Sequence, residues 1–249
     1  MKFLISFLFL VLSFSMKSEA KVTLPSILGD NMVLQQQTEV ELWGKARPNA
    51  VVTVKTSWNN RVYKSSSDGK GNWPLKVSTP VAGGPYKITF NDGELLTLQN
   101  ILIGEVWFCS GQSNMEMPMG GFDRQPVRET NDLIAKAKPS TPIRMYTTDS
   151  KDGRWVRQFS KTPQEDCQGE WLENTPVNVS HISAVSYYFA RYIQEVLEVP
   201  VGIVVSTWGG SKVEAWMSRE SIKSFDSIDL SILDNDAELK NPTATPCVL

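Results

Sequence analysis

The chain has 249 residues, of which 41% are hydrophobic and 21% are charged, with a formal net charge of -2 at pH 7. This composition provides enough apolar surface for a core and excludes the disordered and collagen-like classes. Lys and Arg total 25 against 27 Asp and Glu, so the basic surplus typical of nucleic-acid-binding proteins is missing. We therefore expect a folded protein, with one large domain or two modest ones, that has no nucleic-acid partner.

The N-terminal residues 1–20 have the pattern of a secretory signal peptide. Lys2 precedes an apolar run from Phe3 to Phe14, and this run is shorter than the about 20 residues that a membrane-spanning helix needs. Ser18 and Ala20 are the small residues that signal peptidase accepts before a cut. We predict cleavage after Ala20 and a periplasmic or extracellular protein that is not attached to a membrane. A short membrane anchor is the alternative.

Three cysteines, Cys109, Cys167 and Cys247, are an odd number without a CxxC motif. No histidine stands near them at the spacing of zinc ligands, so we expect neither a disulfide framework nor a metal site. We expect no other cofactor either. One pair of these cysteines could form a disulfide in an oxidising compartment, and the sequence does not indicate which pair.

Residues 21–99 have the pattern of short strands separated by turns, without a helical period. The run 51–54 is mostly β-branched, and Tyr86, Ile88 and Phe90 alternate with other residues after a Gly-Gly-Pro turn. Such alternation is typical of half-buried strands. We predict a small all-β sandwich domain over residues 21–99.

Three tryptophans in this region, Trp43, Trp58 and Trp73, allow two interpretations. They could form a sugar-binding platform, or they could fill the core of a small β domain. Core packing is the common role of buried indoles, and we favour it.

After residue 100 strands and helices alternate, which predicts an α/β domain with a parallel sheet. Ser183 is placed to cap a helix whose apolar residues recur every three or four positions. The predicted elements are a strand buried on both faces at 101–108, a helix at 129–138, a strand at 143–147, the helix after Ser183, a strand at 201–205 and a helical stretch at 213–222.

The C-terminal residues 241–249 end on rising hydrophobicity without a polar cap. Three parallel strands also make a small sheet for an α/β domain. We therefore expect residues 100–249 to be the first part of a larger domain.

Two loops that leave predicted strands have the composition of a catalytic site. Ligands of parallel sheets bind outside the carboxyl ends of the strands, and 111–115 and 208–211 follow such ends. Ser113, on a Gly-preceded turn, is a candidate nucleophile. Its own N–H and that of Gly209 or Gly210 are candidate oxyanion donors.

Two common motifs do not fit these loops. The nucleophile elbow G-x-S-x-G needs glycine where this chain has Met115, which disfavours an α/β-hydrolase. The GxxxxGK[ST] spacing of a phosphate-binding loop is also missing.

The block around Ser113 closely resembles the nucleophile block of the sialate O-acetylesterases, carbohydrate esterases of the SGNH hydrolase superfamily. The loop around Gly209 is similar to the second block of that family. The matching segments are 24–25, 33–35, 104–107, 109–116, 189–191, 200–203, 206–211, 214–216 and 241–243.

This resemblance implies an SGNH-type three-layer α/β/α domain behind the β-sandwich, and hydrolysis of acetyl esters on a sugar without a cofactor. At the matching positions, the resemblance implies that Ser113 is the nucleophile of an acyl-enzyme mechanism and that a glycine of the Gly209-Gly210 pair is an oxyanion donor. We assign substrate contacts to further residues of the two blocks, although Glu214 and Trp216 could equally serve packing. These residues are Gln112, Asn114, Glu214 and Trp216.

The family's later block with the catalytic Asp and His does not occur in this sequence. His181 is the only histidine, and it matches no catalytic position of the family. We predict an ordinary surface or capping histidine away from the crevice, and hence little esterase activity for this chain alone. Three functions stay open: an exported sialic acid O-acetylesterase, an acetyl esterase acting on plant polysaccharide such as xylan, and a non-catalytic carbohydrate-binding protein.

Overall fold

The computed structural model describes residues 21–151, 154–155 and 164–225. The predicted signal peptide and Cys247 lie outside these ranges. The strands are β1 (Val33–Gln35), β2 (Glu39–Lys45), β3 (Val51–Thr56), β4 (Val62–Ser66), β5 (Asn72–Ser78), β6 (Gly83–Asn91), β7 (Leu95–Gly111), β8 (Ile143–Thr147), β9 (Ser150–Lys151), β10 (Arg154–Trp155), β11 (Trp171–Glu173) and β12 (Val201–Thr207). The helices are α1 (Ser113–Glu116), α2 (Thr130–Ala135), α3 (Pro176–His181), α4 (Ala184–Leu197) and α5 (Arg219–Ile222), with a 3-10 turn at Val213–Trp216.

One mixed sheet contains most of the strands, in the order β11-β8-β12-β7-β6-β3-β4, with β1 also paired to β7. Strand β7 has 17 residues and belongs to both halves of this sheet. Its first part pairs antiparallel with β6, and its second part pairs parallel with β12. Strand β12 in turn pairs parallel with β8. The fold is therefore α/β, and β7 runs through the domain boundary predicted at residues 99 and 100.

The first core lies between the antiparallel part of this sheet and a separate two-stranded sheet made of β2 and β5. Trp73 is 1% exposed and its ring packs against Phe90 at 5.8 Å between centroids. Trp58 is partly buried against the same core, and its indole N–H donates to the Ser78 carbonyl. Trp43, by contrast, is 41% exposed. Core packing therefore describes Trp58 and Trp73 but not Trp43.

The second core lies between α4 and the parallel strands. The Ser183 side chain accepts a hydrogen bond from the Ser186 N–H at 3.3 Å, which is the predicted N-cap. Behind this cap, Tyr187 and Ala190 are buried against the side chains of β12. All seven residues of β12 are buried, as expected for a parallel strand covered on both faces.

Three expectations about these elements are wrong in part. The helix expected over 129–138 extends only over α2. It begins at Thr130 because Glu129 adopts a left-handed backbone conformation, and it ends at Ala135. The stretch 213–222 is split between the 3-10 turn and α5. The strand expected to be buried on both faces over 101–108 is not covered at its end, where Trp107 and Phe108 are 41% and 54% exposed; the Phe189 ring packs on Trp107 edge to face, 5.0 Å away between centroids.

Candidate functional site

The two predicted site loops lie side by side at the carboxyl ends of β7 and β12. Thr207 pairs with Gly111 at the last position of the ladder. One residue later, the Trp208 N–H donates to the Gly111 carbonyl at 3.1 Å. Parallel strands end at the same edge of a sheet, so their pairing brings the segment around Ser113 next to the loop 208–211.

Ser113 is the first residue of α1, and its side chain is exposed to solvent. The hydroxyl donates a hydrogen bond to Gln112 Oε1 at 3.0 Å. Gln112 and Asn114 on either side of Ser113 are exposed as well. The nucleophile candidate is therefore accessible, and its proton points to an amide oxygen rather than to a described carboxylate or imidazole.

Gly209 lies against the backbone of Ser113. A Cβ atom built on Gly209 would lie 3.7 Å from Ser113 Cα and 3.0 Å from Glu116 Oε2. The Gly209 N–H donates to the Glu116 carboxylate. Gly210 is exposed with φ +76°, and a Cβ built on it would meet no atom within 4 Å. One of the two predicted oxyanion donors is thus held by a carboxylate, while Gly210 faces open space.

Glu116 is a site residue that the sequence analysis did not single out. Its signal was its position three residues after Ser113 in a short helix, which places both side chains near one side of that helix. Its carboxylate links α1 to the loop of the second block.

Trp216 and Glu214 lie in the 3-10 turn that follows this loop, and both are partly buried. The Trp216 indole N–H donates to Ser211 Oγ at 2.9 Å, and Ser211 Oγ donates to the Trp208 carbonyl at 2.7 Å. Trp208 is itself buried, at 6% exposure. These hydrogen bonds connect the loop 208–211 to the 3-10 turn and hold the loop in place.

A cavity of about 210 Å³ lies beside α1, at the end of β8. Glu116, Phe122, Thr147 and His181 are among the residues that line it, and Ser113 and the two glycines are not. His181 is the last residue of α3 and is exposed. The histidine therefore lies at the surface, on a cavity that it shares with Glu116.

The potential metal ligands among the described residues do not form a cluster. Within residues 21–151, 154–155 and 164–225, no group of three or more His, Cys, Asp or Glu side chains could hold a metal ion. Burial raises the pKa of the Cys109 thiol above its ordinary value, and Cys109 is not part of a disulfide. No helix among the described residues has the length and hydrophobicity to span a bilayer.

No protein-family model matches the chain. The chain is similar to the sialate O-acetylesterases of Pongo abelii, Mus musculus and Homo sapiens, with 28% identity over 214 residues, or 80% of the chain, in each case. It spans 38 to 39% of the length of these relatives. Its structure superposes on the crystal structure of a carbohydrate acetylesterase from Xanthomonas citri with a TM-score of 0.72 and 32% identity, covering 91% of this chain and 46% of that one.

Proposed function

We propose that this chain carries the serine nucleophile of a carbohydrate O-acetylesterase. Its similarity to the sialate O-acetylesterases confirms the family predicted from its motifs. The observation that supports this most directly is the contact between the two strand-end loops, with Gly209 against the backbone of Ser113. A nucleophile and backbone N–H donors around one point are what acyl transfer requires.

In the proposed reaction, Ser113 Oγ attacks the acetyl carbonyl carbon and its proton passes to a general base. The sugar oxygen then leaves with a proton, the acetyl group remains on Ser113, and water hydrolyses this ester to acetate. The Ser113 and Gly210 N–H groups would hold the oxyanion, while the bond from the Gly209 N–H to Glu116 keeps the second loop against Ser113. A base must also displace Gln112 as the partner of the Ser113 hydroxyl.

We place this chemistry in an SGNH-type three-layer α/β/α domain that follows a β-sandwich. The parallel strands β7, β12 and β8 with α4 packed against them support the first part of this proposal. The β2–β5 sheet packed on the antiparallel strands supports the second.

The substrate is proposed as an acetylated sugar, with O-acetyl sialic acid as the first candidate because the curated relatives are named for it. Acetylated plant polysaccharide is the second candidate, and the neighbour described as a carbohydrate acetylesterase is compatible with both. We further propose export, with Lys21 as the mature N-terminus. Mass spectrometry of secreted protein tests this, and retention of residues 1–20 in a membrane fraction would contradict it.

Turnover of p-nitrophenyl acetate by the chain and its variants tests the nucleophile. Ser113→Ala is expected to reduce turnover to the buffer background, whereas Ser140→Ala, in an exposed loop outside the site, should leave it unchanged. Parallel assays on O-acetyl sialic acid and acetylated xylan separate the two substrates. Binding of both without acetate release from either would favour the non-catalytic alternative.

The rate of the unmodified chain is expected to be low, because the Ser113 hydroxyl contacts an amide and no described base. General base catalysis contributes about 10² to 10⁴ in rate. His181→Ala should therefore have no effect. A rate in the ordinary enzymatic range of about 1 to 10³ s⁻¹ that His181→Ala abolishes would instead make His181 the base.

A further inference from the structure

A groove of about 420 Å³ runs along the β2–β5 sheet, outside the site described above. Trp43 of β2 and Pro74 of β5, which pair directly across the two strands, both line it. Lys45, Asn72 and Glu165 also line it. Its volume lies within the about 300 to 1,000 Å³ that is usual for small-molecule sites.

The polar side chains of the groove are linked to one another by hydrogen bonds. Lys45 Nζ donates to Asn72 Oδ1 at 2.5 Å and to Glu165 Oε1 at 3.1 Å. The backbone N–H and the side-chain amide of Asn72 each donate to the Asp68 carboxylate at 2.8 Å, and these bonds hold the pKa of Asp68 below its usual value. Donors and acceptors that are already ordered lose less entropy when a polar ligand binds.

The apolar side of the groove is Trp43, which the core of the domain does not use. Trp73 and Trp58 pack in or against the first core, whereas Trp43 keeps 41% of its surface exposed. A large aromatic ring next to ordered polar groups provides both the apolar area and the hydrogen bonds that a sugar ring needs.

The charges of the groove favour an uncharged ligand. Lys45 carries one positive charge, and it is already paired with Glu165. Asp166, which also lines the groove, adds a second negative charge. An anionic sugar would meet a net negative surface. We propose that this groove binds a neutral pyranose unit of a polysaccharide.

This groove and the cavity beside Glu116 lie on opposite faces of the sheet. Met145 and Thr147 of β8 line the cavity, and Tyr146 between them points the other way because side chains alternate along a strand. The Tyr146 hydroxyl lies 2.6 Å from Ser26 Oγ, which donates to Asp166 at 2.6 Å. The groove would therefore hold a sugar unit without occupying the esterase site.

Titration calorimetry of the whole chain with xylotetraose, a neutral sugar without acetyl groups, tests the proposal. We expect saturable binding that Trp43→Ala weakens by about tenfold or more. Lys45→Met, which keeps most of the length of the side chain but removes its charge and its N–H donors, should weaken it as well. Trp107→Ala is the matched control, because Trp107 is also 41% exposed and lies outside the groove. Circular dichroism spectra of all variants report whether each one is folded.

Two results would overturn the proposal: no binding of xylotetraose by the unmodified chain, or equal loss of binding in Trp43→Ala and Trp107→Ala. Sialyllactose, which is anionic, should bind more weakly, and equal affinity for both sugars would overturn the preference for a neutral ligand. Ser113→Ala should bind xylotetraose as the unmodified chain does. Failure of the esterase proposal is thereby distinguished from failure of this one.

Discussion

At the scale of single residues, Glu116 connects the two loops that surround Ser113. Its carboxylate accepts the Gly209 N–H, and Gly209 is the residue of the second loop that packs on the Ser113 backbone. A hydrogen bond to a charged group contributes about 1.5 to 3 kcal/mol. That is enough to decide which position the loop 208–211 adopts relative to the nucleophile.

We therefore expect Glu116→Ala to lower kcat for p-nitrophenyl acetate by about tenfold or more, with little change in KM. Glu116→Gln keeps an acceptor oxygen for the Gly209 N–H and should retain most of the activity. Glu170→Ala, at an exposed position outside the site, is the matched control. A faster Glu116→Ala enzyme would mean the opposite role, in which the carboxylate blocks an oxyanion donor.

At the scale of elements, β7 and β12 approach each other closely where Gly104 meets the residue before β12. A Cβ built on Gly104 would lie 2.0 Å from the Pro200 carbonyl oxygen, and the neighbouring Glu105 N–H donates to that oxygen at 2.9 Å. Gly104→Ala should therefore lower the free energy of unfolding by about 1 to 3 kcal/mol, as measured by urea denaturation. Gly69→Ala, where a Cβ meets nothing within 4 Å, should have little effect, and equal losses in both variants would contradict this reason.

Strand β8 also makes the stability of the fold depend on pH. Tyr146 is fully buried, and this burial raises the pKa of its phenol to about 12, compared with about 10 in an unfolded chain. Between these two values the folded state retains a proton that the unfolded state has lost, so the free energy of unfolding should fall as the pH rises from about 10 to about 12. Tyr146→Phe should reduce this slope. Part of the slope should remain in this variant, because burial raises the pKa of Tyr187 as well. An unchanged slope in Tyr146→Phe would contradict the assignment, and Tyr192→Phe, at an exposed position, is the control.

Elements with a local signal could be predicted from the sequence. The strand predicted at 143–147 is β8, and the Ser183 cap begins α4, because turns, caps and local sequence patterns act within a few residues. The passage of β7 from one half of the sheet to the other could not be predicted, since it depends on pairing with β6 and β12. The bond between Glu116 and Gly209 joins residues 93 positions apart, and no local pattern encodes it.

At the scale of the whole molecule, one side of the described structure is unusually apolar. The outer side of α4 presents aromatic and aliphatic side chains, and Trp107 of β7, which packs on Phe189, continues this surface. The exposed residues are Trp107, Val185, Tyr188, Phe189, Tyr192, Val196 and Leu197. Scattered apolar side chains are normal on a protein surface, but a contiguous group of this kind marks a surface that associates with another.

We expect this surface to make the chain associate with itself as its concentration rises, and to bind the dye 8-anilinonaphthalene-1-sulfonate. Tyr192 and Val196 are four residues apart on α4 and are 67% and 58% exposed, so they form adjacent parts of this surface. The double substitution Tyr192→Ser and Val196→Ser should weaken self-association by about tenfold, because burying each such side chain contributes about 1.5 to 3 kcal/mol when it is complete. Light scattering over a concentration series measures this effect. Val81→Ser with Leu95→Ser is the matched control, since Val81 and Leu95 are 62% and 68% exposed but lie outside α4, with Leu95 at the other end of β7 from Trp107. A chain that stays monomeric at all concentrations without binding the dye would contradict the prediction, and so would an equal effect of both double substitutions.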